Sequence, residues 1–107
     1  MKISKELFFE IKEFKEFDFD YCYDTENEVM EKGIECFYFI CKEYSASQYM
    51  PISSKTTRQG GIAKIRKKID NKNHSNTIFS TEYLHTEIEA VVKACQWILD
   101  NKKGIKC

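Results

Sequence analysis

Apolar residues along this chain change their spacing several times, and each change marks an element. Leu7, Phe8, Ile11 and Phe14 recur at helical intervals behind Ser4, whose hydroxyl suits the free amides of a first turn. Ile3 and Phe8 sit where a hydrophobic staple closes, so a short helix is expected over 5–14. A strand through Phe9 and Ile11 is the competing pattern. From Phe17 the period drops to two: Phe17, Phe19, Tyr21 and Tyr23 alternate with Asp18, Asp20, Cys22 and Asp24, as in a half-buried strand. After a polar, turn-like stretch over 25–33, residues 34–41 are apolar on both faces, which suits a central strand paired antiparallel to the first. A third extended segment is expected over 48–53. Pro51 puts it at an edge, because it has no amide to donate to a central ladder.

Gly60 and Gly61 then punctuate the chain. Ile62, Ile65, Lys68 and Ile69 follow at helical spacing, so 61–70 reads as a short basic helix. A polar loop over 70–76 leads to a weakly alternating segment over 77–84. The last helix is expected over 87–103. Thr86 and Glu89 form a capping box, and Ile88, Val91, Val92, Cys95, Ile98 and Leu99 make one apolar stripe with Trp97 beside it. Lys102 and Lys103 complement the helix dipole, and Gly104 supplies a left-handed stop. Together these elements define an α+β fold: a small, mainly antiparallel sheet packed by a long C-terminal helix, with two shorter helices. With 4 glycines and 1 proline and no linker, residues 1–107 are expected to form a single domain.

Composition supports a packed core, since 42% of the 107 residues are hydrophobic and 14% aromatic, unlike a disordered chain. The zero net charge hides a split. Residues 1–53 hold twelve acids and six bases, whereas 54–107 hold eleven bases and five acids. The cysteines number five, contain no Cys-x-x-Cys and fall mostly in apolar runs, so free thiols are expected rather than a disulfide framework. The two histidines, His74 and His85, are not clustered with them, and no metal or other cofactor is expected. No run of about 18 apolar residues suggests a membrane span, and the charged N-terminus does not resemble a signal peptide. A cytoplasmic location is expected.

The basic segment carries the clearest chemistry. In Ser53-Ser54-Lys55-Thr56-Thr57-Arg58-Gln59-Gly60-Gly61, two glycines allow a close backbone approach, hydroxyls and a guanidinium offer donors, and a helix is expected to follow. Lys55, Thr56, Thr57, Arg58, Gly60, Gly61, Lys64 and Arg66 are therefore the candidate cradle for a phosphate. The Gly-Lys-Ser/Thr ending of a Walker A loop is absent. Twelve of fifteen aromatics lie in residues 1–50, and Tyr44 and Tyr49 are the nearest in sequence that could stack on a base. Lys64-Ile65-Arg66-Lys67-Lys68 could also track a nucleic-acid backbone, but the neutral total and acidic first half argue against it. Asp18, Asp20 and Asp24 could hold a divalent cation, though a solvated acidic face is the simpler reading.

His85-Thr86-Glu87 opens a stretch with two resemblances. It resembles the zinc-ligand helix of the cytidine-deaminase superfamily, which implies zinc on His85 and proton shuttling by Glu87. That family also needs Pro-Cys-x-x-Cys downstream, and only Cys95 and Cys107 follow here. Extended through Asn101, the stretch looks like the first helix of ribonuclease H, which implies a metal-binding role for Glu87. That pattern needs an Asp-x-Gly-type first strand and a further aspartate after the helix. The expected function is non-catalytic binding and sequestration of a phosphate-bearing small molecule, a nucleotide or nucleotide-derived signal, by a homo-oligomer. The alternatives are a protein-binding inhibitor or immunity-type protein acting by charge complementarity, and a degenerate deaminase-like or ribonuclease H-like domain.

Overall fold

Ser4 starts the first helix as the sequence predicts. Its hydroxyl accepts from the Leu7 amide at 3.0 Å, and α1 runs Lys5–Phe14 with Leu7, Phe8 and Ile11 buried. The structure, a computed structural model, describes residues 2–14, 25–68 and 75–105. The alternating segment over 17–24, with Asp18, Asp20 and Asp24, lies outside them.

The chain next forms one helix, α2, where a strand was expected. It opens at Thr25, whose side chain accepts from the Glu28 amide at 3.2 Å. It then passes through Glu26–Glu28, a π-helical turn at Val29–Gly33, and Ile34–Ser47. The expected strand over 34–41 is thus replaced by helix. Phe37, Ile40, Cys41 and Tyr44 are buried at i, i+3, i+4 and i+7, so the helical stripe becomes visible only when the window reaches Tyr44. At its end Tyr49 adopts φ 60, a left-handed conformation, while its amide donates to Ala46 and that of Met50 to Ser45. The buried Ser45 hydroxyl accepts from the Ile52 amide at 3.1 Å and ties the helix to the sheet.

Three antiparallel strands follow in sequential order: β1 Ile52–Thr57, β2 Gly60–Lys68 and β3 Ser75–Ser80. β1 is an edge strand, and Pro51 stands just before it with its carbonyl accepting from the Arg66 amide at 3.1 Å. The expected basic helix over 61–70 is instead β2. Small residues hid its alternation: Gly61, Ala63 and Ile65 line one face, and Ala63 and Ile65 are fully buried there. β2 pairs β3 with a bulge between Ile65 and Arg66.

The C-terminal helix, α3, runs Glu87–Ile105, past the stop expected at Gly104. The Thr86 hydroxyl accepts from the Glu89 amide at 3.1 Å, as the capping box requires. α3 forms the middle layer. Trp97 stacks on Phe79 of β3 at 4.9 Å, whereas the Cys95 thiol donates to the Cys41 carbonyl of α2 at 3.9 Å. Residues two apart on a helix point about 200° apart, so these contacts fall on opposite sides of α3. Ala90, Val91, Ala94, Ile98 and Leu99 fill the space between. The charge split of the sequence thereby becomes a split between layers. α1 and α2 carry eight glutamates and four lysines, and the three strands carry five bases and no acid.

Candidate functional site: a basic sheet face

Alternation along β1 assigns its side chains to two environments. Ser54 and Thr56 turn towards the start of α3, which leaves Ser53, Lys55 and Thr57 on the opposite face. On β2 the same rule sets Ile62, Lys64 and Arg66 on that outer face. Lys64 pairs across the ladder with Ser53 on one side and Ser80 on the other, Lys55 pairs with Ile62, and Arg66 pairs with Thr77. Lys55 and Arg66 are exposed and Lys64 is partly buried. Ile62 is buried but stands apart from the core cluster, as expected for a residue on the far side of the sheet. From strand geometry, Lys55, Lys64 and Arg66 follow one another at intervals of about 7 Å.

The structure therefore divides the eight candidate residues. It brings Lys55, Thr57, Lys64 and Arg66 to one face. Arg58 is exposed in the β1–β2 turn, where the Thr57 hydroxyl accepts from the Gln59 amide and donates to the Gly60 carbonyl. Thr56 lies on the other face, donating to Glu87 at 3.2 Å. Gly60 and Gly61 serve the backbone. The Gly61 amide donates to the Leu84 carbonyl at 2.9 Å, and no helix follows whose free amides would face a ligand. Of the two tyrosines nearest this segment, Tyr44 is 2% exposed and its hydroxyl has no hydrogen-bond partner among the described residues, whereas Tyr49 is 83% exposed.

Glu87 has a role the sequence did not reveal. Its Oε2 accepts from the Tyr38 hydroxyl at 2.9 Å and from Ser54 at 3.0 Å, and its Oε1 accepts from Thr56. Burial alone would raise the pKa of this carboxyl. The three hydroxyl donors, with the charge of Lys42, outweigh burial and hold it below its ordinary value. The side chain thus joins α2, β1 and α3 at one point. The alternating hydroxyls Ser54 and Thr56 were the only sequence signal for it.

The two resemblances can be set against this geometry. His85 is exposed, and Cys95 is fully buried against α2, so the two do not share a ligand set. Glu87 faces β1, but the positions beside it are Ser54 and Thr56 instead of the aspartate of the ribonuclease H pattern. Among the described residues, no group of three His, Cys, Asp or Glu side chains is arranged to hold a metal ion, and no helix is long and apolar enough to cross a membrane.

A cleft of about 850 Å³ opens elsewhere, between the N-termini of α1 and α2 and the outer side of α3. Ile3, Met30, Leu84 and Val92 contribute its apolar lining. Lys2, Lys5 and Lys93 are balanced by Glu26, Glu31 and Glu89, and none of the eight candidates lines it. Compared with protein-family models, with curated proteins and with solved structures, the chain matches none.

Proposed function

We propose that this protein is a non-catalytic binding protein that takes the phosphate groups of a nucleotide-type ligand on its basic sheet face. The reading rests on one observation: Lys55, Lys64 and Arg66 share a face of a sheet that has no acidic strand residue. The Ser53 hydroxyl, opposite Lys64, adds a neutral donor beside these cations. Glu87, the carboxylate to which both resemblances point, accepts three hydrogen bonds. Its lowered pKa moves away from the near-neutral value that suits a general base.

The test is thermal melting at low salt with inorganic pyrophosphate, mononucleotides, cyclic dinucleotides and ADP-ribose-type compounds. A ligand at 100-fold over its Kd adds about 2.7 kcal/mol, which is about 10–20 °C for a domain of this length. The triple variant K55A/K64A/R66A is expected to keep its fold, because Lys55 and Arg66 are exposed and Lys64 lies outside the core cluster, and to lose at least about tenfold in affinity. Equal shifts in wild type and variant would remove this face as the site.

One observation favours a protein partner as a second reading. Phe39 is 62% exposed on α2, with Glu35 and Glu43 one turn to either side. An apolar anchor between acids suits a basic protein surface. Phe39→Ala should then abolish co-purification of a cellular partner that the K55A/K64A/R66A variant still retains.

A further inference from the structure

The phosphate reading leaves open whether the ligand is small or polymeric, and the shape of the face bears on that choice. A small ligand needs concavity. The large cleft lies elsewhere, and Lys55, Lys64 and Arg66 stand on a sheet surface in an oblique row, about 7 Å from one to the next. Such a row suits a repeating anion better than a single compact one. A protein partner fits the face less well. Its strand residues offer mostly lysines, arginine and hydroxyls, and of its large apolar side chains Ile62 is 9% exposed and Ile78 on β3 is 37% exposed. The aromatic anchors of a protein interface are missing from these positions.

The acidic first half of the chain opposes this reading less than its charge suggests once its location is known. α1 packs on α2 and α3, so its glutamates lie beyond α3 from the sheet, about 20 Å away, whereas α2 also touches β1 through Ser45 and Ile52. The Debye length at physiological salt is about 8 Å, so the repulsion from α1 is largely screened at the outer face. The net charge of the chain therefore overstates the repulsion at this face.

Tyr49 adds a second, independent feature. It is 83% exposed and held at φ 60, two residues before Pro51, whose carbonyl binds the Arg66 amide. An exposed aromatic ring therefore lies two residues along the chain from the strand end that pairs with Arg66. Surface cations with an exposed ring near them are the combination by which proteins hold single strands without reading sequence.

Building on the phosphate reading, we infer that the sheet face binds single-stranded nucleic acid through its phosphodiester backbone, with Tyr49 stacking on one base. Binding is sequence-tolerant, because contacts to the phosphate backbone and stacking on one ring carry no base identity.

The experiment is fluorescence anisotropy with a labelled oligodeoxythymidylate of about 15 nucleotides, within the usual site size for such proteins. Three phosphate contacts predict a log–log salt slope of about −2, so affinity falls about 20-fold between 50 and 200 mM salt. K55A/K64A/R66A should flatten that slope towards zero. Tyr49→Ala should weaken the oligonucleotide several-fold and leave inorganic polyphosphate unchanged. Circular dichroism would establish that both variants remain folded. Mononucleotides or pyrophosphate binding as tightly as the oligomer would overturn the inference and keep the phosphate reading. Duplex bound as well as single strand, with no effect of Tyr49→Ala, would also overturn it. Failure of every phosphate compound would remove both readings.

Discussion

Gly61→Ala is expected to destabilise the protein by about 3 kcal/mol, at the upper end of the usual cost of overpacking. A Cβ at this position would collide with the backbone nitrogen and Cα of Glu87 and with the Thr86 carbonyl carbon. These are main-chain atoms of a capped helix start, so no flexible side chain can swing aside. The strand has little room to retreat either. The Gly61 amide and carbonyl are both bonded to Leu84, at 2.9 and 2.8 Å, which clamps the 84–87 crossing onto β2. For a domain of this length the loss corresponds to a drop in Tm of about 12–20 °C. Gly60→Ala should also destabilise, by a different route: φ is 122 there, and an added Cβ would meet the Leu84 carbonyl oxygen. Thermal and urea unfolding followed by circular dichroism measures both. A Gly61→Ala protein melting within a few degrees of wild type would show that α3 does not start pressed against β2.

The glycine pair shows how far the sequence could be read. Two adjacent glycines before an isoleucine-spaced basic run look like a loop entering a helix, and the requirement for close approach was legible. What approaches was not. The neighbour is the chain's own helix start, which lies some 25 residues further along, and pairing over that range leaves no mark in a short window. β2 was misread for a related reason. Its core face is Gly61, Ala63 and Ile65, and the first two are too small to register as apolar positions, so Ile62 and Ile65 suggested a helical period. In α2 the error ran the other way: a run apolar on both sides is ambiguous until enough turns are counted. By contrast α1 and α3 were legible because caps and stripe agree locally, Ser4 with Leu7 and Thr86 with Glu89.

The candidate site was half legible for the same reason. Lys55 and Lys64 belong together because their strands pair antiparallel, with Lys55 opposite Ile62. Read as a loop and a helix, the same residues gave a cradle around free amides. Read as a hairpin, they give a flat row of cations with the amides committed to the ladder. Thr56 illustrates the consequence. Its hydroxyl was assigned to a ligand, and one step of alternation carries it through the sheet to Glu87.

Glu87 is where that alternation has its largest energetic consequence away from the glycines. Glu87→Ala is expected to cost about 2 kcal/mol at pH 7. It removes the acceptor for three hydroxyls, hydrogen bonds to a charged group are worth about 1.5–3 kcal/mol, and partial access to water lets the stranded donors recover some of that. Glu87→Gln keeps an oxygen acceptor and loses the charge, so its cost should be smaller, about 1 kcal/mol. The pH dependence separates charge from shape. The folded pKa of Glu87 lies below its unfolded value, because burial is outweighed by the bonds from Tyr38, Ser54 and Thr56 and by Lys42. The folded state therefore holds the proton less tightly than the unfolded chain. The charge contribution is complete above the unfolded pKa of about 4.3 and is lost as pH falls through the folded pKa. Urea unfolding of wild type and Glu87→Gln from pH 7 to pH 3 should show a gap that is constant down to about pH 5 and then closes. A gap that widened on acidification would mean that Glu87 is held protonated in the folded protein. The carboxylate would then be a buried acid available for chemistry, and the non-catalytic reading of this protein would have to be given up.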